Sequence, residues 1–196
     1  MINYFKGKTF INRISLNDTI TNETKIIFES KLKNIKTKTA KALFIDINLK
    51  KSSISQCELI SNQIIGFKKE NPSIPIYTFA EELILGPSII PLLTGDYVYA
   101  EQNSWFGLYD FFKFNYNFKK YIEDNNYKVK LNTIGKNKIR LNPLEQWKEE
   151  DFIWLKQMLD KLKEILVDKV YEIRKMKNSK ITKDQVKDFL DSGLKS

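Results

Sequence analysis

The side chain best placed to do chemistry is a serine in the middle of the chain. Ser88 follows the turn-forming pair Gly86-Pro87 and precedes a run of small and apolar residues. Pro87 favours the first turn of a helix, because its missing N–H leaves no donor unpaired there. A helix start can hold a nucleophile or an anion. The alternative is that Ser88 only caps the helix and takes no part in a reaction.

Two residue counts limit the chemistry that could accompany this serine. The sequence has 0 His and 1 Cys. Without histidine there is no imidazole base and no His-ligated metal site. Cys57 cannot form an internal disulfide, which favours a reducing compartment. The spacing around Cys57 fits the buried face of a helix better than a nucleophile, since no imidazole is available to activate it.

The length and charge of the chain favour an ordinary globular protein. Its 196 residues suffice for one domain with a sizeable core, and no apolar run reaches the roughly 18 residues of a membrane-spanning helix. The net charge of +9 could indicate a nucleic-acid partner. However, acids are interleaved with the basic residues, which favours a solvated basic surface. Association with RNA, for example in an organellar ribosome, is kept as an alternative.

Strand and helix patterns alternate through the first half of the chain. Strands are predicted over residues 9–16, 42–48, 74–79 and 97–99, and helices over residues 21–35 and 53–69. The strand over 42–48 is almost continuously apolar, as in parallel sheets that are covered on both faces. The order predicts right-handed βαβ units, and therefore an α/β fold with a parallel sheet.

The second half of the chain is predicted to be mainly helical. One further strand is expected over residues 129–134. A long amphipathic helix is expected within residues 144–176, and its apolar face consists of Leu155, Leu159, Leu162, Leu166, Val170 and Ile173. A last helix begins at Thr182, where Gln185 completes a capping-box pattern. The whole chain, residues 1–196, is predicted to form a single domain.

The stretch over residues 75–100 resembles the core of the signal peptide peptidase A (protease IV) family of serine proteases. In its sequence, Thr94-Gly-Asp-Tyr-Val-Tyr-Ala100 is similar to the family's Ala-Asp-Lys-Ile-Val-Ala strand, and Gly107 matches the first Gly of its later turn. The segment over residues 127–138 resembles the one that carries the family's general-base lysine. The resemblance covers about residues 9–192. It implies a ClpP/crotonase-like parallel sheet flanked by helices, with a long C-terminal helix and a shortened C-terminus.

The same resemblance implies that the active site has been lost. It puts Gly86 at the position of the nucleophilic serine, although it puts Lys138 at the position of the general base. The family's oxyanion strand continues Ile-Asn-Ser-Pro-Gly-Gly, whereas this chain continues from Ile47-Asn48 into Leu49-Lys50-Lys51-Ser52. Because glycine reaches backbone conformations that lysine and serine reach only with strain, the oxyanion hole is not expected to be preorganised.

Two catalytic alternatives remain open from the sequence. Ser88 could be a nucleophile displaced by two residues, paired with Lys138 in a shifted Ser/Lys dyad. This dyad would need a lysine whose pKa is lowered by burial, because an ammonium group cannot act as a base. Glu81 and Glu82 could instead mimic a crotonase-type acid/base carboxylate, although solvated loop acids are the simpler interpretation.

An aromatic run after Gly107 suggests a surface for partners. In the family, the matching region leads into a helix that packs between subunits. An exposed aromatic face here would therefore mark a contact with protein subunits of a larger complex, through Tyr109, Phe111, Phe112 and Phe114. The alternative is that these rings pack in the core.

These features together predict a pseudoenzyme with no catalytic, cofactor-binding or metal-binding residue. The expected function is that of a catalytically inactive, protease-like structural subunit or scaffold in a larger protein assembly, most plausibly mitochondrial. The alternatives are the serine protease with the shifted dyad, and the RNA-associated component.

Overall fold

The computed structural model describes residues 10–50, 52–107, 115–130, 132, 134 and 140–191. The chain divides into two compact units. The first comprises Met1–Asp110 together with Ile165–Ser196, and the second comprises Phe111–Glu164.

The described residues of the first unit include six strands, which form two parallel sheets. They are β1 (Phe10–Asp18), β2 (Ala40–Leu49), β3 (Ile76–Ala80), β4 (Leu83–Leu85), β5 (Tyr97–Ala100) and β6 (Trp105–Gly107). The main sheet has the order β1-β2-β3-β5, and the small sheet pairs β4 with β6. All of these pairings are parallel. Parallel neighbours need crossover connections, and the helices between the strands supply them.

Six α-helices are described along the chain. They are α1 (Asn22–Lys33), α2 (Ile54–Glu70), α3 (Ile89–Leu93), α4 (Lys119–Asp124), α5 (Glu149–Lys177) and α6 (Lys183–Asp191). Capping boxes begin α1 at Thr21 and α2 at Ser53, where each side chain accepts a hydrogen bond from the first turn. Gly86–Ser88 forms a single 3₁₀ turn ahead of α3.

The core of the first unit is centred on β2. Leu43, Ile45 and Ile47 are fully buried, and Ile76 and Ala80 on β3 are buried beside them. Aliphatic residues on a central parallel strand remove much apolar surface from water, at roughly 25 cal/mol per Å². This burial fixes the register of β2, because a slip by one residue would turn the aliphatic face outward.

The C-terminal end of α5 is fastened to the main sheet by charged side chains. Lys177 and Lys68 both pair with Asp96, at 2.9 Å for Lys68. Arg174 donates to the carbonyl of Leu93 at 3.2 Å. Burial raises the pKa of Asp96, but hydrogen bonds from both lysines and from the N–H of Ile76 outweigh it and lower that pKa below its ordinary value.

The parallel sheet and the long C-terminal helix confirm the predicted α/β fold class. The apolar runs of β2, β3 and β5 are neighbours in one sheet, as expected. The three-residue strands β4 and β6 were not predicted, since they are too short to give a periodic pattern.

The strand predicted over residues 129–134 is wrong for the residues that are described there. Val129, Lys130, Asn132 and Ile134 form no strand, and Ile134 is 93% exposed. Alternating apolar residues form a strand only where a neighbouring strand and a buried face stabilise them.

Within the described residues, no helix has both the length and the apolar character needed to cross a membrane.

Candidate functional site

The position that the resemblance assigns to a nucleophile is occupied by a buried glycine. Gly86 directly follows β4 and has a φ of 54°, in the left-handed region that favours glycine. Pro87 then begins the 3₁₀ turn, which leads into α3. The turn has the strand-to-helix geometry expected from the sequence, but its first residue carries no side chain that could attack a substrate.

The nearest hydroxyl, that of Ser88, is enclosed by the protein. The residue is 0% exposed, and its Oγ has no nitrogen or oxygen hydrogen-bond partner among the described residues. A nucleophilic serine needs both access to substrate and a base within hydrogen-bond reach. Lys138, the base of the proposed dyad, lies outside the described residues. The surroundings of Ser88 therefore fit a buried turn residue better than a nucleophile.

Cys57 lies beside this serine on α2 and is also buried. Burial raises the pKa of the Cys57 thiol to about 12, although Ser52 and Ser88 each lower it slightly through their hydroxyl groups. A thiol with so high a pKa stays protonated at neutral pH and is a poor nucleophile. The buried position of Cys57 agrees with the helix-face role expected from the sequence.

The segment after β2 uses its polar groups to hold the backbone together. The N–H of Lys50 donates to the carbonyl of Asp18 at 3.0 Å, and Ser52 Oγ accepts from the N–H of Ile20 at 3.3 Å. An oxyanion hole needs N–H groups that point at the developing charge and are free to donate to it. The resemblance puts the two donor glycines at Lys51 and Ser52, and Lys51 lies outside the described residues.

Asn48 ties the end of β2 to the start of β4. Its Nδ2 donates to the carboxylate of Glu82 at 3.1 Å, and its Oδ1 accepts from the N–H of Leu83 at 3.4 Å. Glu82 is therefore one partner of a structural hydrogen bond at the surface. Its contacts favour the loop-acid interpretation over an acid/base role.

Glu81 belongs to a polar cluster that the sequence analysis missed. Arg13 on β1 pairs with Glu81 at 3.2 Å and with Asp46, which is 1% exposed. Ser15 also donates to Asp46, at 3.1 Å. The hydrogen bond to Asp46 and the negative charge of Asp46 raise the pKa of Arg13 above its ordinary value, and Glu81 contributes in the same direction. The available signal was an aspartate inside an apolar strand, since a buried carboxylate needs a partner.

A row of aromatic side chains crosses one face of the main sheet. We call it the aromatic ladder, and it consists of Phe44, Tyr77, Phe79, Tyr97 and Tyr99. Tyr97 and Tyr99 on β5 are 52% and 49% exposed. The surface predicted from Tyr109, Phe111, Phe112 and Phe114 lies outside the described residues.

The described residues contain no group of three or more His, Cys, Asp or Glu side chains that could hold a metal ion.

The parallel sheet, its crossover helices and the long C-terminal helix form an α/β fold of the ClpP-like type. One solved structure, described only as that of an enzyme, has a TM-score of 0.53 and 13% identity, covering 94% of this chain and 87% of its own. A peptidase from Plasmodium falciparum has a TM-score of 0.52 and 15% identity, covering 93% of this chain and 85% of its own.

A third similar structure is a membrane-bound stomatin-specific protease in complex with a substrate peptide. It has a TM-score of 0.47 and 14% identity, covering 57% of this chain and 49% of its own. No protein-family model matches the chain, and no curated protein matches it in sequence. At this level of identity the likeness concerns the fold alone.

Proposed function

We propose that this chain is a catalytically inactive, protease-like structural subunit or scaffold of a larger protein assembly. The observation that carries the proposal is the turn after β4, where Gly86 stands at the expected nucleophile position. The only hydroxyl in that turn, on Ser88, is fully buried. Loss of a nucleophile removes the covalent step of serine-protease chemistry, whereas the surfaces of the fold remain available for binding.

The segment after β2 supports the same conclusion. Removing one oxyanion donor typically costs about 10² to 10³ in rate. Here Lys51 and Ser52 stand where the resemblance puts the two donor glycines, and both reach glycine-like backbone conformations only with strain. A shifted Ser88/Lys138 dyad would therefore need both an exposed serine and a second route to stabilise the oxyanion, and the buried serine argues against it.

The assembly is tested by the size of the native protein. Extracts of the source cells, enriched in mitochondria, are separated by size exclusion, and the fractions that contain the 23.1 kDa chain are identified. The basic composition and single cysteine favour this compartment. We expect the chain to elute with constant partner proteins at a size well above that of a monomer.

A charge substitution tests the aromatic run as the contact with those partners. Tyr109→Lys combined with Phe112→Lys should release the chain from the assembly, because two desolvated charges would be placed in an apolar contact. The matched control is Tyr116→Lys with Ile134→Lys, two apolar residues that are strongly exposed. Elution of the wild-type chain as a free monomer would contradict the proposed function.

A further inference from the structure

The aromatic ladder lies on strands β2, β3 and β5, and the alternation of side chains along each strand fixes the face on which every ring lies. Phe44 pairs with Tyr77, Tyr77 with Tyr97, and Phe79 with Tyr99 across the parallel register. The residues between them, such as Ile45 and Thr78, are fully buried on the opposite face. Since successive side chains of a strand point to opposite faces, the five rings share one face of the main sheet.

The rings pack against each other and still leave much of their surface open. Tyr77 stacks on Tyr97 with centroids 4.9 Å apart, and Phe79 stacks on Tyr99 at 5.4 Å, each with an interplanar angle of 18°. Phe44 contacts both Tyr77 and Phe79, at 5.2 Å and 5.1 Å. Packing of this kind holds the two half-exposed tyrosines of β5 in fixed orientations, so that a partner would find a preformed surface.

Among the described residues, the charged groups around the ladder are mainly acidic, although the chain as a whole is basic. Arg13 on β1 is the register neighbour of Phe44 and is a cation. It forms ion pairs with two carboxylates, those of Asp46 and Glu81. Glu101 follows directly after β5 and is exposed. In the described part of the chain, no cation pairs with Glu101. A chain of net charge +9 thus presents a locally acidic aromatic face.

We propose that the aromatic ladder is a docking surface for a basic polypeptide segment of a partner protein. Arginine or lysine side chains of this segment lie over the faces of Tyr97 and Tyr99. Their charges are balanced by Glu101 and by the surplus negative charge of the cluster that Asp46 and Glu81 form with Arg13. Apolar side chains of the segment pack against the remaining rings. Nucleic acid is disfavoured, because its phosphates would meet these carboxylates. The inference rests on the proposed function, since it gives the chemistry of one partner of the assembly.

The test measures the binding of a synthetic peptide of alternating arginine and tryptophan to the purified chain by fluorescence anisotropy. A peptide with glutamate in place of arginine tests the role of charge, and oligouridine RNA tests nucleic acid. We expect the arginine peptide to bind at least about tenfold more tightly than the glutamate peptide, despite the net positive charge of the protein. Equal binding of the two peptides would overturn the proposal.

Substitutions locate the binding on the ladder. Tyr97→Ser with Tyr99→Ser should weaken binding of the arginine peptide by about tenfold, because two exposed cation–π contacts are lost. The matched control is Tyr121→Ser with Tyr127→Ser, a second exposed pair of rings whose centroids are 6.4 Å apart. Glu101→Gln leaves every ring in place and should weaken binding a few-fold, with a smaller dependence on salt.

Other outcomes exclude the proposed partner. If RNA binds and the Tyr97→Ser, Tyr99→Ser variant loses that binding, the surface belongs to a nucleic acid. If the same variant abolishes self-association of the pure chain, the occupant is a second copy. An equal effect of the Tyr121→Ser, Tyr127→Ser control would also refute the proposal. None of these results changes the outcome expected from size exclusion of the native protein. Failure of the docking proposal can therefore be distinguished from failure of the proposed subunit function.

Discussion

Two buried serines near the candidate site differ in how their hydroxyl groups are satisfied. Ser104 Oγ donates to the carbonyl of Ala80 at 2.8 Å and lies 3.2 Å from that of Glu81. Ser88 Oγ lies beside the Cys57 thiol, a weak hydrogen-bonding group, and has no nitrogen or oxygen partner among the described residues. A buried hydroxyl in this position has lost its bonds to water and gained little in return.

This contrast predicts opposite effects of two identical substitutions. Ser88→Ala should raise the free energy of unfolding by about 1 kcal/mol, because it removes an unsatisfied hydroxyl, whereas Ser104→Ala should lower it by about 1 kcal/mol. Urea unfolding followed by circular dichroism measures both values. If Ser88→Ala were as destabilising as Ser104→Ala, the hydroxyl of Ser88 would have a partner after all.

The limits of sequence reasoning at the residue scale are clear from Asp46 and Gly86. The resemblance of residues 94–100 to a family strand was enough to predict that Gly86 stands at the position of the nucleophile. The pairing of Asp46 with Arg13 joins residues that are 33 apart and depends on the parallel register of β1 and β2. A sequence pattern does not give that register, so the cluster could not be predicted.

At the scale of elements, α3 and β5 approach β3 closely at the turn that joins them. A side chain at Gly95 would run into the side chain of Thr78 on β3. Thr78 is itself held in place, since its Oγ1 donates to the carbonyl of Leu92 at 2.6 Å. The turn therefore requires glycine because of its surroundings. A Cβ at Gly66 in α2 would meet nothing within 4 Å beyond the backbone of its own helix.

Substituting alanine at these two glycines should have opposite consequences. Gly95→Ala should destabilise the protein by about 1–3 kcal/mol, as expected for overpacking against a fixed neighbour. Gly66→Ala should stabilise it by up to about 1 kcal/mol, because alanine favours the helix and meets no contact. Thermal unfolding of the two variants is the measurement. A stabilising Gly95→Ala would show that the approach of α3 and β5 to β3 is looser than described.

The elements that could be predicted are those with a long hydrophobic period. β2 and the flanking helices carry strong patterns, and a capping box begins α6, where Thr182 and Gln185 exchange hydrogen bonds at 3.0 Å and 3.2 Å. The aromatic ladder was not predicted, because its rings come from three separate strands. Only the strand order β2-β3-β5 and the register bring them together.

For the whole molecule, the proposed function requires that the fold is kept while the local requirements of catalysis are lost. The fold depends on buried aliphatic strands, which are intact in β2 and β3. Catalysis would depend on a few groups in the turn after β4 and in the segment after β2. The chain has a net charge of +9, whereas the surroundings of the ladder are acidic. This local difference in charge favours the ladder as a binding surface.

The most direct test of the proposed loss of activity combines covalent labelling with turnover. The purified chain is treated with a fluorophosphonate, its intact mass is measured, and cleavage of an unstructured peptide is followed for the wild type and for Ser88→Ala. We expect no adduct and no cleavage in either protein, because Gly86 carries no nucleophile and Ser88 is buried. A single adduct on Ser88, together with cleavage that disappears in Ser88→Ala, would contradict the account.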